Sequence, residues 1–190
     1  GLNPYLELTG MAYRITPERS KDGKPRVNTE VMYDNMLHKF KYGNMNVPGI
    51  YIDENTMRMC RTHRMMFSQL AEALYYEGKH DKALEVLDFA EEMLPGYNVP
   101  YDYTSGTMAA LYYAMDEMEK GNAIMAVLAD NCVEYMEWGA SLSAPERKAA
   151  QSTLGHYSAV LGFVLNNLQR FEQKELFNKY FALYNQYASR

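Results

Sequence analysis

The segment from residue 67 to residue 95, FSQLAEALYYEGKHDKALEVLDFAEEMLP, has the pattern of two short amphipathic helices joined by a tight turn. Apolar residues recur at helical spacing on the facing sides of the two helices, and small residues stand where the backbones approach closely. These facing residues are Leu70, Leu74, Leu87, Ala71 and Ala83. Gly78 ends the first helix, and Pro95 cannot continue the second. The segment therefore predicts an antiparallel helix pair.

The spacing is that of a tetratricopeptide repeat, which stacks such pairs into a superhelix. Arg64 is then the first repeat position, and Gly78 is the turn glycine. A second, weaker repeat covers 102–138, where Met118 replaces the turn glycine and Ala123 is the close-packed alanine. We expect an all-α fold of antiparallel helix pairs in a short right-handed tetratricopeptide-like superhelix, which occupies residues 53–190.

Residues 1–52 are less regular. Asn3 is predicted to start a short helix through Leu8, and the apolar stretch 11–16 is predicted to be extended. Asn28 or Thr29 caps a helix that ends near Lys41. We expect this irregular segment, with its single helix, to pack on the repeats.

Three helices are predicted by their start signals. Asp53 caps one that runs without a breaker to Glu77. Ser143 opens a capping box, with Pro145 in the first turn, for a helix that continues to about Gln169. Phe171 begins the last helix.

Composition excludes several classes of function. The formal net charge of −5 argues against nucleic acid and anionic membrane surfaces, which require a basic face. The sequence has no apolar run of membrane-spanning length, so we predict no insertion by this segment. Cys60 and Cys132 stand apart without metal-ligand spacing and are expected to be buried free thiols. The four histidines form no nucleophile motif, so we predict a non-enzymatic chain with no metal and no cofactor.

The concave face of a tetratricopeptide array is lined by fixed positions of each first helix. In this sequence those positions are Met65, Ser68, Glu72, Tyr75 and Tyr76 in the first repeat, with Ser105, Met108, Tyr112, Met115 and Asp116 in the second. Tyr and Met give large, adaptable contact areas and suit a peptide groove. The alternative is that flanking helices fill the groove and that these side chains are core.

Three arginines, Arg58, Arg61 and Arg64, follow one another at intervals of three residues. They could form a basic stripe that binds a carboxylate or phosphate. Solvated surface charge is the alternative reading.

Three segments carry a more specific likeness. They are GLNPYLELTGMAYRITP, MYDNMLHKF and DENTMRMCRTHRMMFSQLAEALYYEGKHDKALEVLD. The chain resembles the C-terminal soluble region of a family of bacterial multi-spanning membrane proteins of unknown function, whose membrane part is distantly similar to protein O-mannosyltransferases. The resemblance implies the extramembrane tail of a glycosyltransferase that uses lipid-linked sugar. It also implies an extracytoplasmic, periplasmic location, with the catalytic residues outside this chain.

We therefore expect an interaction or scaffold domain that docks a protein or peptide partner. The partner is an acceptor protein or the membrane portion of the same full-length protein. The alternative function is a carbohydrate or small-ligand binding module that uses a Tyr- and Met-rich groove.

Overall fold

The computed structural model describes residues 1–188. Helix accounts for 68% of the structure, which confirms the predicted predominance of α-helix, and one small sheet is present. The chain consists of two compact units, Gly1–Pro100 and Tyr101–Arg190. This division differs from the predicted one at residue 52, and the last two residues of the predicted repeat region lie outside the described residues.

The first unit begins with a 3-10 turn, Asn3–Tyr5, followed by a three-stranded sheet. The strands are β1 (Leu6–Leu8), β2 (Tyr13–Ile15) and β3 (Arg26–Val27). β1 lies in the centre, antiparallel to β2 and parallel to β3. The prediction of a helix through Leu8 was wrong after Tyr5, because β1 satisfies its backbone groups with two neighbouring strands. The extended segment at 11–16 is confirmed by β2.

Three helices complete the first unit. They are α1 (Thr29–Asp34), which continues as a π-helical turn (Asn35–Lys39), α2 (Glu54–Tyr76) and α3 (His80–Met93). The predicted caps are confirmed: Asn28 accepts a hydrogen bond from the backbone N–H of Val31, and Asp53 accepts from Asn55 and Thr56. The facing leucines and alanines of the predicted pair are fully buried.

The regular elements in the described part of the second unit are all helices. Its elements are α4 (Tyr103–Ala114), α5 (Met118–Ser141), α6 (Ala144–Ala149), α7 (Gln151–Arg170) and α8 (Lys174–Ala188). The Ser143 capping box is confirmed, but the single helix predicted after it is interrupted at Ala150. α8 begins at Lys174 rather than Phe171, because Glu172 adopts a left-handed conformation with φ 57°.

The three helix pairs α2–α3, α4–α5 and α7–α8 are joined by the same turn. In each turn, one backbone N–H donates a hydrogen bond to the carbonyl oxygen five residues earlier. The N–H of the residue before it donates to the carbonyl three residues earlier, which is the Schellman motif. The five-residue bonds are Lys79 N–H to Leu74 O, Glu117 N–H to Tyr112 O and Gln173 N–H to Leu168 O. The left-handed residue is Gly78 in the first turn, Asp116 in the second and Glu172 in the third.

These turns correct the predicted register of the second repeat. Asp116, not Met118, occupies the place of Gly78. The close-packed small residue is correspondingly Gly121, because a Cβ added there would lie 2.4 Å from Cε1 of Tyr113. Ala123, predicted for that role, is exposed. The repeat register predicted for the second pair was therefore displaced by two residues toward the C-terminus.

Candidate functional site

The residues predicted for the first-repeat groove have mixed surroundings within the first unit. Met65, Glu72 and Tyr76 are exposed, Tyr76 to 78%. Tyr75 is half-buried and stacks on the His80 ring with centroids 4.9 Å apart. Ser68 is buried, so this hydroxyl does not line an open surface.

The residues predicted for the second-repeat groove are mostly core. Ser105, Met108 and Tyr112 are buried, while Met115 is half-buried and Asp116 is the turn residue. The physical reason is the register error, since a shift of two residues rotates a helix face by about 200°. Met108 and Tyr112 are therefore packing residues and do not line an open groove.

The predicted basic stripe is not one surface. Arg58 and Arg61 are exposed, whereas Arg64 is fully buried. A step of three residues turns a helix by about 300°, so two such steps place Arg64 about 120° away from Arg58. The side chain of Arg58 donates a hydrogen bond to Asn55 Oδ1.

Arg64 instead fixes a loop. Its Nη2 donates to the backbone carbonyls of Leu94 and Val99, both at 2.7 Å, and Nη1 donates to Pro100 O at 3.0 Å. A buried guanidinium requires such acceptors, and its planar fork reaches several at once. The chain from 94 to 100, which follows α3, is thereby held to the middle of α2.

This fixed loop holds a second one. Asn98 Nδ2 donates to Met45 O and Val47 O, both at 2.8 Å, and Tyr97 Oη donates to Asn46 O at 2.7 Å. The same loop also contacts α2, where Met45 Sδ lies 3.8 Å from Cys60 Sγ. Side chains of the loop at 94–100 thus donate hydrogen bonds to the backbone carbonyls of the loop at 45–47.

The two loops and the start of α2 form a shallow depression of about 520 Å³, which we call the loop platform. Its lining residues are Pro48, Gly49, Ile50, Tyr51, Ile52, Met57, Tyr97 and Asn98. Tyr51 is 91% exposed and Tyr97 65%. Large aromatic side chains so exposed on ordered loops are a typical feature of binding surfaces.

The chemistry of the loop platform suits binding. Its lining contains no carboxylate, imidazole, thiol or amine. It offers tyrosine rings and hydroxyls, aliphatic side chains and one side-chain amide. Such a surface can stack, exclude water and hydrogen-bond.

The remaining reactive side chains of the described residues are dispersed. No group of three or more His, Cys, Asp or Glu residues there could hold a metal ion. Cys60 and Cys132 are both buried free thiols, as predicted. Burial raises the pKa of the Cys132 thiol to about 12, and it raises the pKa of Cys60 as well, so both favour the unreactive protonated form. Among the described helices, none is both long and apolar enough to cross a membrane.

The loop platform is not among the sites predicted from the sequence. A signal was present, since both loops contain a Pro-Gly pair followed closely by tyrosine: Pro48-Gly49 before Tyr51, and Pro95-Gly96 before Tyr97. Pro-Gly predicts a turn. It does not predict that two turns about fifty residues apart will lie side by side.

Comparisons of this chain with protein-family models, with curated proteins and with solved structures found no match.

Proposed function

We propose that this chain is a non-catalytic interaction module and that the loop platform is its docking surface for a protein or peptide partner. The observation that carries the proposal is the exposure of Tyr97 on a loop held by Arg64, and of Tyr51 on a neighbouring loop whose residues 45–47 accept hydrogen bonds from Tyr97 and Asn98. Tyrosine gives a large amphipathic contact area at low cost in conformational entropy.

Rigidity supports the same proposal. A loop that is already ordered loses little conformational entropy when a partner binds, which favours affinity. Arg64 supplies that order from the interior, at the desolvation cost of a buried cation. The loop between α3 and α4 is thus held by Arg64 of α2 in addition to its own turn residues. Such external support is expected for a loop that presents a recognition surface.

The proposal about the full-length protein rests only on the resemblance of the sequence to the C-terminal soluble region of a bacterial membrane protein family. We propose that the helix pairs belong to a tetratricopeptide-like superhelix and that the chain is the extramembrane tail of a membrane glycosyltransferase, on the periplasmic side. The partner is then the acceptor protein or the membrane portion of the same full-length protein. The similarity of the three N-terminal and central segments supports this setting.

A carbohydrate ligand is the second candidate. The observation that favours it is the nearly complete exposure of the Tyr51 ring beside the half-buried amide of Asn98. An open ring offers a face for stacking, and Asn98 Oδ1 can accept a hydrogen bond from a hydroxyl-rich ligand, since the amide nitrogen already donates to Met45 O and Val47 O.

The test uses photo-crosslinking pull-downs from membrane and periplasmic fractions, with wild-type bait and two variants. Tyr51→Ser removes the most exposed ring of the loop platform, and Tyr76→Ser is the matched control on the groove face of α2 that the repeat pattern predicts. We expect capture to be lost with Tyr51→Ser and retained with Tyr76→Ser. The reverse result would locate docking on α2 instead. Equal capture by all three baits contradicts the loop platform, and binding of an oligosaccharide array without protein capture favours the carbohydrate alternative.

A further inference from the structure

β2 is one of the two edge strands of the sheet in the first unit, and no described strand pairs with its side away from β1. The strand order is β2-β1-β3, so β2 pairs on one side only. All three of its residues are exposed, with Tyr13 at 50% and Ile15 at 65%. This surface is separate from the loop platform.

The register shows which backbone groups face outward. Thr16 N–H donates to Tyr5 O at 2.8 Å, and Thr9 N–H donates to Ala12 O at 3.3 Å. Hydrogen-bonded and non-hydrogen-bonded pairs alternate in an antiparallel ladder, so Arg14 is the hydrogen-bonded partner of Glu7. The N–H and C=O of Tyr13 and Ile15 therefore point away from β1, toward the open side.

The side chains of β2 divide between the two faces. Tyr13 and Ile15 lie opposite Leu8 and Leu6 and share their apolar face. Arg14 is on the other face, where its guanidinium pairs with Glu7 at 2.5 Å and remains 59% exposed. The open edge therefore has two apolar residues on one face and a cation between them on the other.

Proteins commonly protect such edges by keeping the strand very short, or with proline, bulges or charges directed into the edge. β2 is short, with three residues, but it has none of the other three devices. β2 pairs with β1 residue for residue and contains no proline between residues 13 and 15. Its charge is on Arg14, which is engaged by Glu7 and whose backbone already bonds to β1. The edge thus keeps the features that permit strand addition.

We propose that β2 binds an extended peptide segment of a partner protein, which adds to the sheet as a fourth strand, antiparallel to β2, beside Tyr13 and Ile15. The segment has apolar residues at the two positions next to Tyr13 and Ile15. It has an acidic residue between them, because the residue opposite Arg14 is in the close, non-hydrogen-bonded pair, where opposite charges attract. Main-chain hydrogen bonds supply affinity, and the alternating side chains supply specificity.

A second copy of this chain fits the edge less well. Antiparallel pairing of two β2 strands through both Tyr13 and Ile15 places Arg14 directly opposite Arg14 of the other copy. Like charges in that position are destabilising. Charge complementarity thus favours an acidic heterologous strand.

The test uses the whole chain, labelled with nitrogen-15, and a blocked pentapeptide Thr-Val-Glu-Val-Thr at millimolar concentration. We expect chemical-shift changes at Tyr13 and Ile15 and slower hydrogen exchange of these two amides. N-methylation of both valines removes the donors that face β2 and should weaken binding by roughly tenfold or more. N-methylation of the glutamate, whose amide faces away, is the matched control and should leave binding unchanged.

Three results would overturn the proposal. One is no response of Tyr13 and Ile15 to the peptide, and another is equal binding of the two N-methylated forms. The third is concentration-dependent protection of both amides without peptide, which would identify a second copy as the occupant. A lysine in place of the peptide glutamate should weaken binding, and equal affinity would reject the predicted acidic residue. Tyr51→Ser should leave peptide binding unchanged, which separates this surface from the loop platform.

Discussion

Arg64 is the residue that links the core of the first unit to its candidate binding surface. Replacing it with methionine keeps an apolar stem of similar length but leaves the carbonyls of Leu94, Val99 and Pro100 without their donor. We expect Arg64→Met to lower the free energy of unfolding by about 2–4 kcal/mol, measured by urea denaturation. Arg61→Met, three residues away and exposed, is the control and should change it by less than about 0.5 kcal/mol. Equal midpoints for the two variants would contradict the loop-fixing role.

A second prediction at the residue scale concerns Glu7 and pH. The hydrogen bond from Arg14 holds the pKa of this carboxyl below its ordinary value of 4.5. A lowered folded-state pKa gives stability that is present above the unfolded-state pKa and lost as pH falls through the folded-state value. The stability difference between wild type and Glu7→Gln should therefore be constant near neutral pH and shrink below pH 4.5. A difference that grew with acidity would show that Arg14 does not stabilise the carboxylate.

At the scale of elements, the corrected register of the second helix pair can be tested with two substitutions. Gly121→Ala places a methyl group against the buried Tyr113 ring, whose hydroxyl is bonded to Asn122, so the ring is not free to move. The cost should be about 1–3 kcal/mol in unfolding free energy. Ala123→Leu adds a larger group at an exposed position and should be nearly neutral. A larger loss of stability for Ala123→Leu than for Gly121→Ala would instead support the register with Met118 in the turn and Ala123 in the close contact.

The left-handed turn residues give another prediction for these elements. Gly78→Ala should lower the unfolding free energy by about 1 kcal/mol, because φ is +75° while no neighbouring atom blocks a Cβ. Glu172→Gly should raise it by a smaller amount, since relief of the left-handed strain is partly offset by the greater freedom of glycine when unfolded. Glu172→Ala, which removes the charge but keeps the strain, is the control. Calorimetric melting would contradict this account if Glu172→Gly and Glu172→Ala behaved alike.

These turns also show what a sequence can and cannot predict about elements. The first pair was predictable because Gly78 marks its turn and the apolar spacing is regular. The second pair was displaced because its turn residue is Asp116, which carries no glycine signal. The strand Leu6–Leu8 was read as helix because its conformation is decided by partners at residues 13–15 and 26–27. Local propensity yields to tertiary pairing in so short a segment.

At the scale of the whole molecule, the candidate site was not predictable for the same physical reason. The loop platform is formed by residues near 50 and residues near 97. The buried residue that holds the second of these loops is Arg64, which the three-residue spacing of the arginines predicted to lie in an exposed stripe. Arg64 is known to lie inside only from the structure, where its acceptors are all on a loop thirty to thirty-six residues further along the chain. Helical periodicity predicts which face of a helix is apolar, but it does not identify a single buried charge within that face.

Because the chain divides into two compact units, we expect the second unit to fold without the first. All three carbonyl acceptors of Arg64 precede residue 101, so separating the chain there leaves the loop-fixing contacts in the first unit. In the second unit α5 packs on α4, α7 and α8, and the buried Tyr180 donates to Ala126 O at 3.0 Å. We expect residues 101–190, produced alone, to retain a helical circular dichroism spectrum and a cooperative thermal transition.

Tyr180→Phe in the same fragment tests whether that transition reports native packing. It deletes only the hydroxyl bonded to Ala126 and Asp130, so the helices should remain and the midpoint should fall by a few degrees. A fragment that melts gradually, with no response to Tyr180→Phe, would show that the second unit lacks a core of its own. A cooperative transition that shifts as expected would show that its hydrogen-bonded core forms without residues 1–100.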